Sequence, residues 1–272
     1  MISKSIIFLG GSGYICSSIR NNPLLNDFKI KFYSRRVSIG CIQYSDIAEI
    51  PTSDIILDFS QRADGSDLKN FGFNEMYLQM KKLSKLCNNY IFISSLNILL
   101  EQLLNYKQTL YTETKSRLEE KIYENKIKNS FIARIPSCFS YEPKENSLIK
   151  ILMRRALGSN EAIKYPWNYT TGLFVDDLCD GINTIINQVD SINNNPYTIR
   201  RYTIADSNVY RISELDYFLR EKRIEYLSKT SAKISINNSD NKYDKWIKPK
   251  LMFPARLSEV ISNLNHNDLY NC

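Results

Sequence analysis

Histidine is nearly missing from this chain of 272 residues, which holds a single one, His266. A Ser–His–Asp triad or a multi-histidine metal centre would have to be built on that residue near the C-terminus, so both chemistries fall away. The cysteines at 16, 41, 87, 138, 179 and 272 are dispersed, with no Cys-x-x-Cys pair. They offer neither a disulfide framework nor a zinc site, and they fit a reducing, cytoplasmic setting without a metal. Long apolar runs are absent too. No window approaches the ~18 apolar residues that a membrane span needs, and the apolar stretch 6–9 is too short for a secretory signal core. Lys and Arg outnumber Asp and Glu 36 to 29, a net charge of +7, but no basic block occurs. Such an excess suits any anionic partner. Without a basic block, however, neither a nucleic-acid tail nor a membrane partner is expected.

What is present is a regular alternation. Residues 6–9, 30–33, 55–59, 90–94 and 131–135 are short runs rich in Ile and Phe and read as strands. Between them, residues 74–88 and 108–127 repeat apolar positions at helical spacing. Strands alternating with helices predict β-α-β units, hence an α/β fold with a parallel sheet covered on both faces. Further helices are expected over 147–157, 175–189 and 212–223, a loop at 193–196, and an exposed polar excursion over 228–245.

Three of the nine glycines fall in Gly10-Gly11-Ser12-Gly13, between the first strand and a helix expected to start near Tyr14. Strand, glycine turn and helix in that order bring backbone N–H groups against a pyrophosphate. The spacing is Gly10-x-x-Gly13-x-x-Cys16, so a small side chain replaces the third glycine, which mainly allows close helix packing. After the second strand comes Ser34-Arg35-Arg36, where an acidic residue would hold the ribose of NAD. Arginines there suit the 2′-phosphate of NADP, so NADPH is the expected cofactor, with NAD the alternative. Asp46 and Phe59-Ser60-Gln61 are expected beside the adenosine.

Tyr111-Thr112-Glu113-Thr114-Lys115 places a phenol and an ammonium on one helix face. A phenol of pKa about 10 needs such a neighbour to work near neutral pH. With 18 tyrosines the pair alone is weak, but the order along the chain strengthens it: glycine loop, Ser94-Ser95 ending a strand, then Tyr111 and Lys115.

In these motifs the chain resembles the extended short-chain dehydrogenase/reductases, the NAD(P)-dependent epimerase/dehydratase group. The likeness rests on Phe8-Leu9-Gly10-Gly11-Ser12-Gly13-Tyr14-Ile15, Tyr90-Ile91-Phe92-Ile93-Ser94-Ser95, Tyr111 to Lys115, Arg134-Ile135-Pro136 and Thr171-Gly172-Leu173-Phe174-Val175-Asp176-Asp177-Leu178. Ile204-Ala205-Asp206 resembles the family's return strand. The resemblance implies a Rossmann-type doubly wound sheet over 1–140, rejoined by 168–190, with a smaller C-terminal substrate-binding lobe from 141–167 and 191–272. It also implies that Ser95 hydrogen-bonds the reacting oxygen, Tyr111 passes the proton, and Lys115 holds the nicotinamide ribose. Gly10, Ser12, Gly13, Tyr14, Ile15, Ile135 and Ser137 would line the cofactor, and Leu96, Asn97, Ser137 and Trp167 the substrate. A homodimer through the two helices at 74–88 and 108–127 follows by the same analogy.

Departures from the family narrow the reaction. Relatives that dehydrate hexoses place an Asp-Glu pair just after the strand-end Ser, where this chain has Leu96-Asn97, and the extra Cys of reducing epimerases is missing there too. Asp58-Phe59-Ser60 replaces the family's His-x-Ala, and Ser137 replaces an Asn. The minimal Ser–Tyr–Lys set, with a short C-terminal part that resembles the deoxysugar reductases more than the longer epimerases, implies an NADPH-dependent reductase of a nucleotide-linked 4-keto-6-deoxyhexose. Such an enzyme would serve surface-polysaccharide (O-antigen, lipopolysaccharide) or related glycoside synthesis. An NAD-retaining 4-epimerase and a non-catalytic NAD(P)-binding protein are the alternatives. Arg200-Arg201 is either a diphosphate contact or an exposed pair, and Asp176-Asp177 is expected to cap a helix.

Overall fold

The computed structural model describes residues 3–61, 66–124, 127, 129–145, 147–165, 168–192, 201–222, 233–235 and 244–263. The first half runs β1 (Ser5–Leu9), α1 (Tyr14–Ile19), β2 (Lys29–Ser34), β3 (Ile42–Gln43), β4 (Ser53–Asp58), α2 (Ser66–Leu83), β5 (Cys87–Ser95), α3 (Asn97–Leu103), α4 (Leu110–Tyr123), β6 (Ser130–Ile135) and β7 (Ser137–Phe139). Then follow α5 (Leu148–Ala156), β8 (Tyr169–Thr170), β9 (Gly172–Phe174), α6 (Val175–Ile192), β10 (Arg201–Ile204), β11 (Asn208–Arg211), α7 (Ile212–Arg220), β12 (Lys233–Ser235), β13 (Asp244–Ile247) and α8 (Phe253–Ser262).

Eight strands form one sheet in the order β13-β10-β6-β5-β4-β1-β2-β3, and every neighbouring pair is parallel. From β3 to β6 this is the doubly wound order of dinucleotide-binding sheets, reversing beside β1. The fold is therefore the expected Rossmann-type α/β sheet. Along each central strand, alternate residues enter different cores. Phe8, Leu57, Ile91 and Ala133 join one cluster, and Leu9, Ile56, Phe92 and Ile132 join the other. A strand buried on both faces has no polar side, so these segments read as continuous apolar runs. The helices α2 and α4 close the second face with Met76, Met80, Leu83, Leu118 and Ile122. On the first face, α6 lays down Leu178, Ile182, Ile185 and Ile186, joined by residues of α5, α7 and α8. Beyond the sheet lie an antiparallel trio β12-β11-β8 and a parallel pair β7-β9.

Several expectations are corrected. The helix expected over 74–88 ends at Leu83, and Cys87 already opens β5; at its other end, Gly72 (φ 67°) interrupts α2. Within 228–245, residues Lys233–Ser235 form β12, and Asp244–Ile247 begins where the excursion was expected to end, running on as an edge strand of the main sheet. The main sheet thus takes in β10 and β13, although 191–272 was expected to lie wholly in the smaller lobe. The loop at 193–196 lies outside the described residues, as do Trp167, Arg200 and His266.

Candidate functional site

The carboxyl ends of β1, β4 and β5 form one rim of the sheet, and the glycine turn crosses the first of them. Gly10 has φ 83°, and the Gly13 N–H donates to its carbonyl at 2.8 Å. A Cβ on Gly10 would stand 2.6 Å from the Phe59 carbonyl oxygen, and one on Gly11 would stand 2.8 Å from Cys41 Sγ. These two glycines are thus required by the chain's own packing. Gly13 differs: its φ is −75°, it is exposed, and a Cβ there would meet only the Gly10 oxygen, at 3.1 Å. Its bare backbone faces outward, as the close approach of a diphosphate requires. Cys16, in the third glycine's place, is 1% exposed and packs into the core, so a small side chain suffices there. Ile15 packs partly buried against the same core, and the Tyr14 hydroxyl accepts from the Ser140 N–H at 2.9 Å.

Next to this turn, the Ser34 hydroxyl donates to Ser12 Oγ at 2.7 Å and accepts from the Arg36 N–H at 3.0 Å. Arg35 and Arg36 are exposed, and Arg35 donates across the rim to Gln79 Oε1 at 2.7 Å. Arg35, Asp58, Ser60, Gln61, Met76 and Gln79 line an opening of about 310 Å³, counting space open to solvent. Asp58 is buried on its floor. Its carboxylate accepts from the Ser60 N–H (2.9 Å), the Ser60 hydroxyl (2.5 Å) and the Tyr90 hydroxyl (2.5 Å). Phe59 is turned away from this opening and stacks on Phe8, with ring centres 6.0 Å apart. Asp46 is engaged locally, accepting from the Ala48 N–H at 2.8 Å and capping a single turn over Ile47–Glu49.

At the end of β5, the Ser95 hydroxyl lies beside the Tyr111 phenol, near enough to pull its pKa down. Lys115 is 3% exposed; its Nζ donates to the Ile93 carbonyl at 2.6 Å and stands 5.7 Å from the centre of the Tyr111 ring. The three residues therefore converge. Their electrostatics differ from expectation, though: burial pushes the Tyr111 phenol up to about 12, against the smaller pull of the neighbouring Ser95 hydroxyl. An i, i+4 spacing puts Lys115 on the right helix face, but its ammonium is committed to a backbone carbonyl and does not bring the phenol toward neutral pH. Tyr111 in this state holds its proton.

The remaining expected residues divide. Asn97 is half-buried, and its N–H donates to Ser95 Oγ at 3.2 Å. Ser137 is exposed and pairs in register with Gly172. Leu96 is corrected: it is fully buried among Leu100, Ala205 and Val209, so its side chain is closed to a ligand. Ile135 is 5% exposed, and its carbonyl accepts from the Leu96 N–H. Arg201 is not an exposed cation, because it pairs with Glu119 at 3.4 Å and with Asp244. Asp177 does more than start α6, for its carboxylate is buried and accepts from Arg256 at 3.1 Å.

Cys138, next to the expected Ser137, lies close to Tyr111 and Tyr14, and burial pushes its thiol up to about 12. Two carboxylates were not anticipated as site groups: Asp58, noted only as a departure from His-x-Ala, and the buried Glu101, which nothing in its local sequence distinguishes. Among the described residues, no group of three or more His, Cys, Asp or Glu is arranged to hold a metal, and no helix is long and apolar enough to cross a membrane.

A parallel doubly wound sheet with a glycine turn on β1 and a Ser–Tyr–Lys convergence on β5 defines the architecture. No family model matches the sequence, and no curated protein matches it. Among solved structures, the chain is similar to the UDP-N-acetylglucosamine 4-epimerase from Bacillus cereus, with 15% identity and a TM-score of 0.66 over 97% of this chain and 98% of that one. It is also similar to the dTDP-glucose 4,6-dehydratase from Bacillus anthracis, solved with NAD (14%, TM-score 0.62, 96% of both chains). A human epimerase family protein solved with NADPH matches at 11% identity and a TM-score of 0.59, over 96% of this chain and all of that one. Identities this low speak for a shared fold. That fold is shared along nearly the whole chain. Coverage of 98% of a 4-epimerase also removes C-terminal length as an argument for a reductase.

Proposed function

We propose that this protein is an NAD(P)-dependent oxidoreductase acting on a nucleotide sugar, and specifically an NADPH-dependent reductase of a 4-keto-6-deoxyhexose nucleotide. The observation that carries the proposal is the convergence of Ser95, Tyr111 and Lys115 beside a glycine turn whose Gly13 presents bare backbone. The residues present fit a nicotinamide dinucleotide. Gly13 and Ser12 would take the diphosphate, Ser34, Arg35 and Arg36 the adenosine end, and Lys115 the nicotinamide ribose. When bound, that cofactor supplies a hydride at its nicotinamide C4. The protein's part is to orient the substrate carbonyl through the Ser95 hydroxyl and to deliver a proton from the Tyr111 hydroxyl as the carbonyl oxygen becomes negative.

The proton that burial keeps on Tyr111 suits the start of a reduction, and the second half of an epimerisation needs the same acid. The epimerase alternative keeps one point in its favour, the 4-epimerase among the structural neighbours. A homodimer through α2 and α4 belongs to the same proposal; these helices lie side by side, with Arg117 4.0 Å above the Phe73 ring and Leu78 exposed on α2.

The test is to release and identify any dinucleotide in the purified protein, titrate it with NADPH and NADH, and assay reduction of a panel of 4-keto nucleotide sugars by the native chain and Tyr111→Phe. An exchangeable NADPH site, with turnover reduced by about 100-fold or more in Tyr111→Phe, supports the reductase. Tightly retained NAD with 4-epimerisation moves the reading to the epimerase. Failure to bind either dinucleotide removes the basis of both.

A further inference from the structure

The segment between Ser95 and Tyr111 holds a buried carboxyl group that the proposed chemistry does not use. Glu101 sits on α3, is fully buried, and faces the start of α4. Its Oε2 accepts from the Thr112 hydroxyl at 2.5 Å, and its backbone carbonyl accepts from the Tyr106 N–H at 2.8 Å. Thr112 is also half of the capping arrangement that begins α4: its N–H donates to Thr109 Oγ1 at 3.2 Å, and its hydroxyl accepts from the Thr109 N–H at 3.0 Å. Glu101 Oε1 is sealed from solvent and has no hydrogen-bond partner among the described residues. Burial holds its pKa above the ordinary carboxylate value, against the pull of Thr112 and Thr109.

A leucine of similar volume would fill this space without stranding an oxygen, so packing alone gives no reason for a carboxyl group here. What the group joins gives one. The α3 helix starts two residues after Ser95, and its first N–H is held by the Ser95 hydroxyl. The α4 helix carries Tyr111 next to Thr112 and Lys115 one turn on. Glu101 is thus the side-chain link between the segment that follows Ser95 and the cap of the helix that carries the other two groups.

We infer that Glu101 is a positioning residue, tying α3 to the first turn of α4 through Thr112 and so setting the Ser95–Tyr111 contact on which proton delivery depends. The inference rests on the reading of Ser95, Tyr111 and Lys115 as the reacting set. A side chain that only fills space would affect folding and cofactor binding in step. A positioning residue affects kcat while the dinucleotide, held mainly on β1 and β2, binds as before.

The experiment compares Glu101→Gln and Glu101→Ala with the native chain in dinucleotide affinity, in kcat and KM with a 4-keto nucleotide sugar, and in amide hydrogen exchange over residues 110–113. Glu101→Ala is expected to lose about 10- to 100-fold in kcat, as for a misplacement on the ångström scale, with dinucleotide Kd within about twofold. Exchange over 110–113 is expected to speed up. Glu101→Gln, which keeps an oxygen acceptor for Thr112, should stay within about threefold of the native chain in every readout. An unchanged kcat in Glu101→Ala, a parallel loss of dinucleotide affinity, or a Glu101→Gln no better than Glu101→Ala overturns the inference. If Glu101→Ala does not fold, Thr112→Val removes the same contact, and an unchanged kcat there has the same force. If the native chain reduces no nucleotide sugar, the functional reading fails while the exchange data still decide: protection over 110–113 that survives in Glu101→Ala refutes the link.

Discussion

Replacing Gly10 and Gly13 in turn with alanine separates a glycine needed for folding from one needed for a ligand. At Gly10 an alanine meets two penalties. The positive φ of 83° costs an L-residue about 1–2 kcal/mol. Its Cβ would also stand 2.6 Å from the Phe59 carbonyl, backbone that cannot swing aside, and overpacking of that kind costs about 1–3 kcal/mol. Together these predict a loss of about 2–5 kcal/mol for Gly10→Ala, read as a melting temperature lower by on the order of 10 °C. At Gly13 the backbone is extended, and the single close neighbour, the Gly10 oxygen at 3.1 Å, needs to move only slightly. Gly13→Ala should therefore melt within a few degrees of the native chain. It should nonetheless bind NADPH at least about tenfold more weakly, because its methyl group fills the space a diphosphate needs. Thermal melts and NADPH fluorescence titrations measure both. A Gly10→Ala protein as stable as the native one refutes the packing account, and a Gly13→Ala protein with native affinity refutes the phosphate-loop account.

Removing one partner of the buried Arg134–Glu119 pair, as in Arg134→Met, leaves a carboxylate 3% exposed beside Arg201 alone. Denaturant unfolding should show a loss of about 3–5 kcal/mol, and the double change Arg134→Met with Glu119→Leu should be milder than the single one. Alkaline stability follows from groups whose pKa is raised on folding: Tyr111 from 10.0 to about 12, and Cys87, Cys138 and Cys179 from 9.0 to about 12. Each binds its proton more tightly when folded, so their stabilisation is complete below pH 9 and is lost as pH rises through 12. Melting temperatures that hold level from pH 9 to 11.5 contradict that burial. Changing Arg35 and Arg36 together to alanine should weaken NADPH more than NADH, and equal effects on the two would detach the arginines from the 2′-phosphate.

The central strands were legible because a strand buried on both faces can only be a short apolar run, and β4, β5 and β6 are such runs. The edge strand β13 was hidden for the converse reason. Asp244-Lys245-Trp246-Ile247 is half-buried throughout and has one sheet neighbour, so its sequence resembles a surface loop. Helix α3 gave no period, because Leu96-Asn97-Ile98-Leu99-Leu100 is apolar on nearly every side; Leu96 and Leu100 are buried with Ala205 and Val209, and Leu99 packs against them half-buried. Of the candidate site, the motif spacings picked out Gly10, Gly13, Ser95, Tyr111 and Lys115. They also led to the expectation of a phenol drawn toward neutral pH by Lys115, which missed how deeply the fold buries Tyr111: burial raises it to about 12, while the Lys115 ammonium donates to the Ile93 carbonyl.

The protonation of Tyr111 and the grip on the dinucleotide bear on the same choice between reductase and epimerase. A reductase must let its spent cofactor leave after every turnover, and it needs an acid at the start of each one. An epimerase begins by removing a proton, so it needs the phenolate, and it loses activity whenever its cofactor leaves. Here burial raises Tyr111 to about 12, and the exposed Arg35 borders an open-sided cleft. The protonated phenol suits the acid of the proposed reductase, and the open cleft suits a cofactor that exchanges. The link can be broken experimentally: a protein that holds NAD through purification must also lower the Tyr111 pKa in that complex, since otherwise the oxidising half of an epimerisation would have no base.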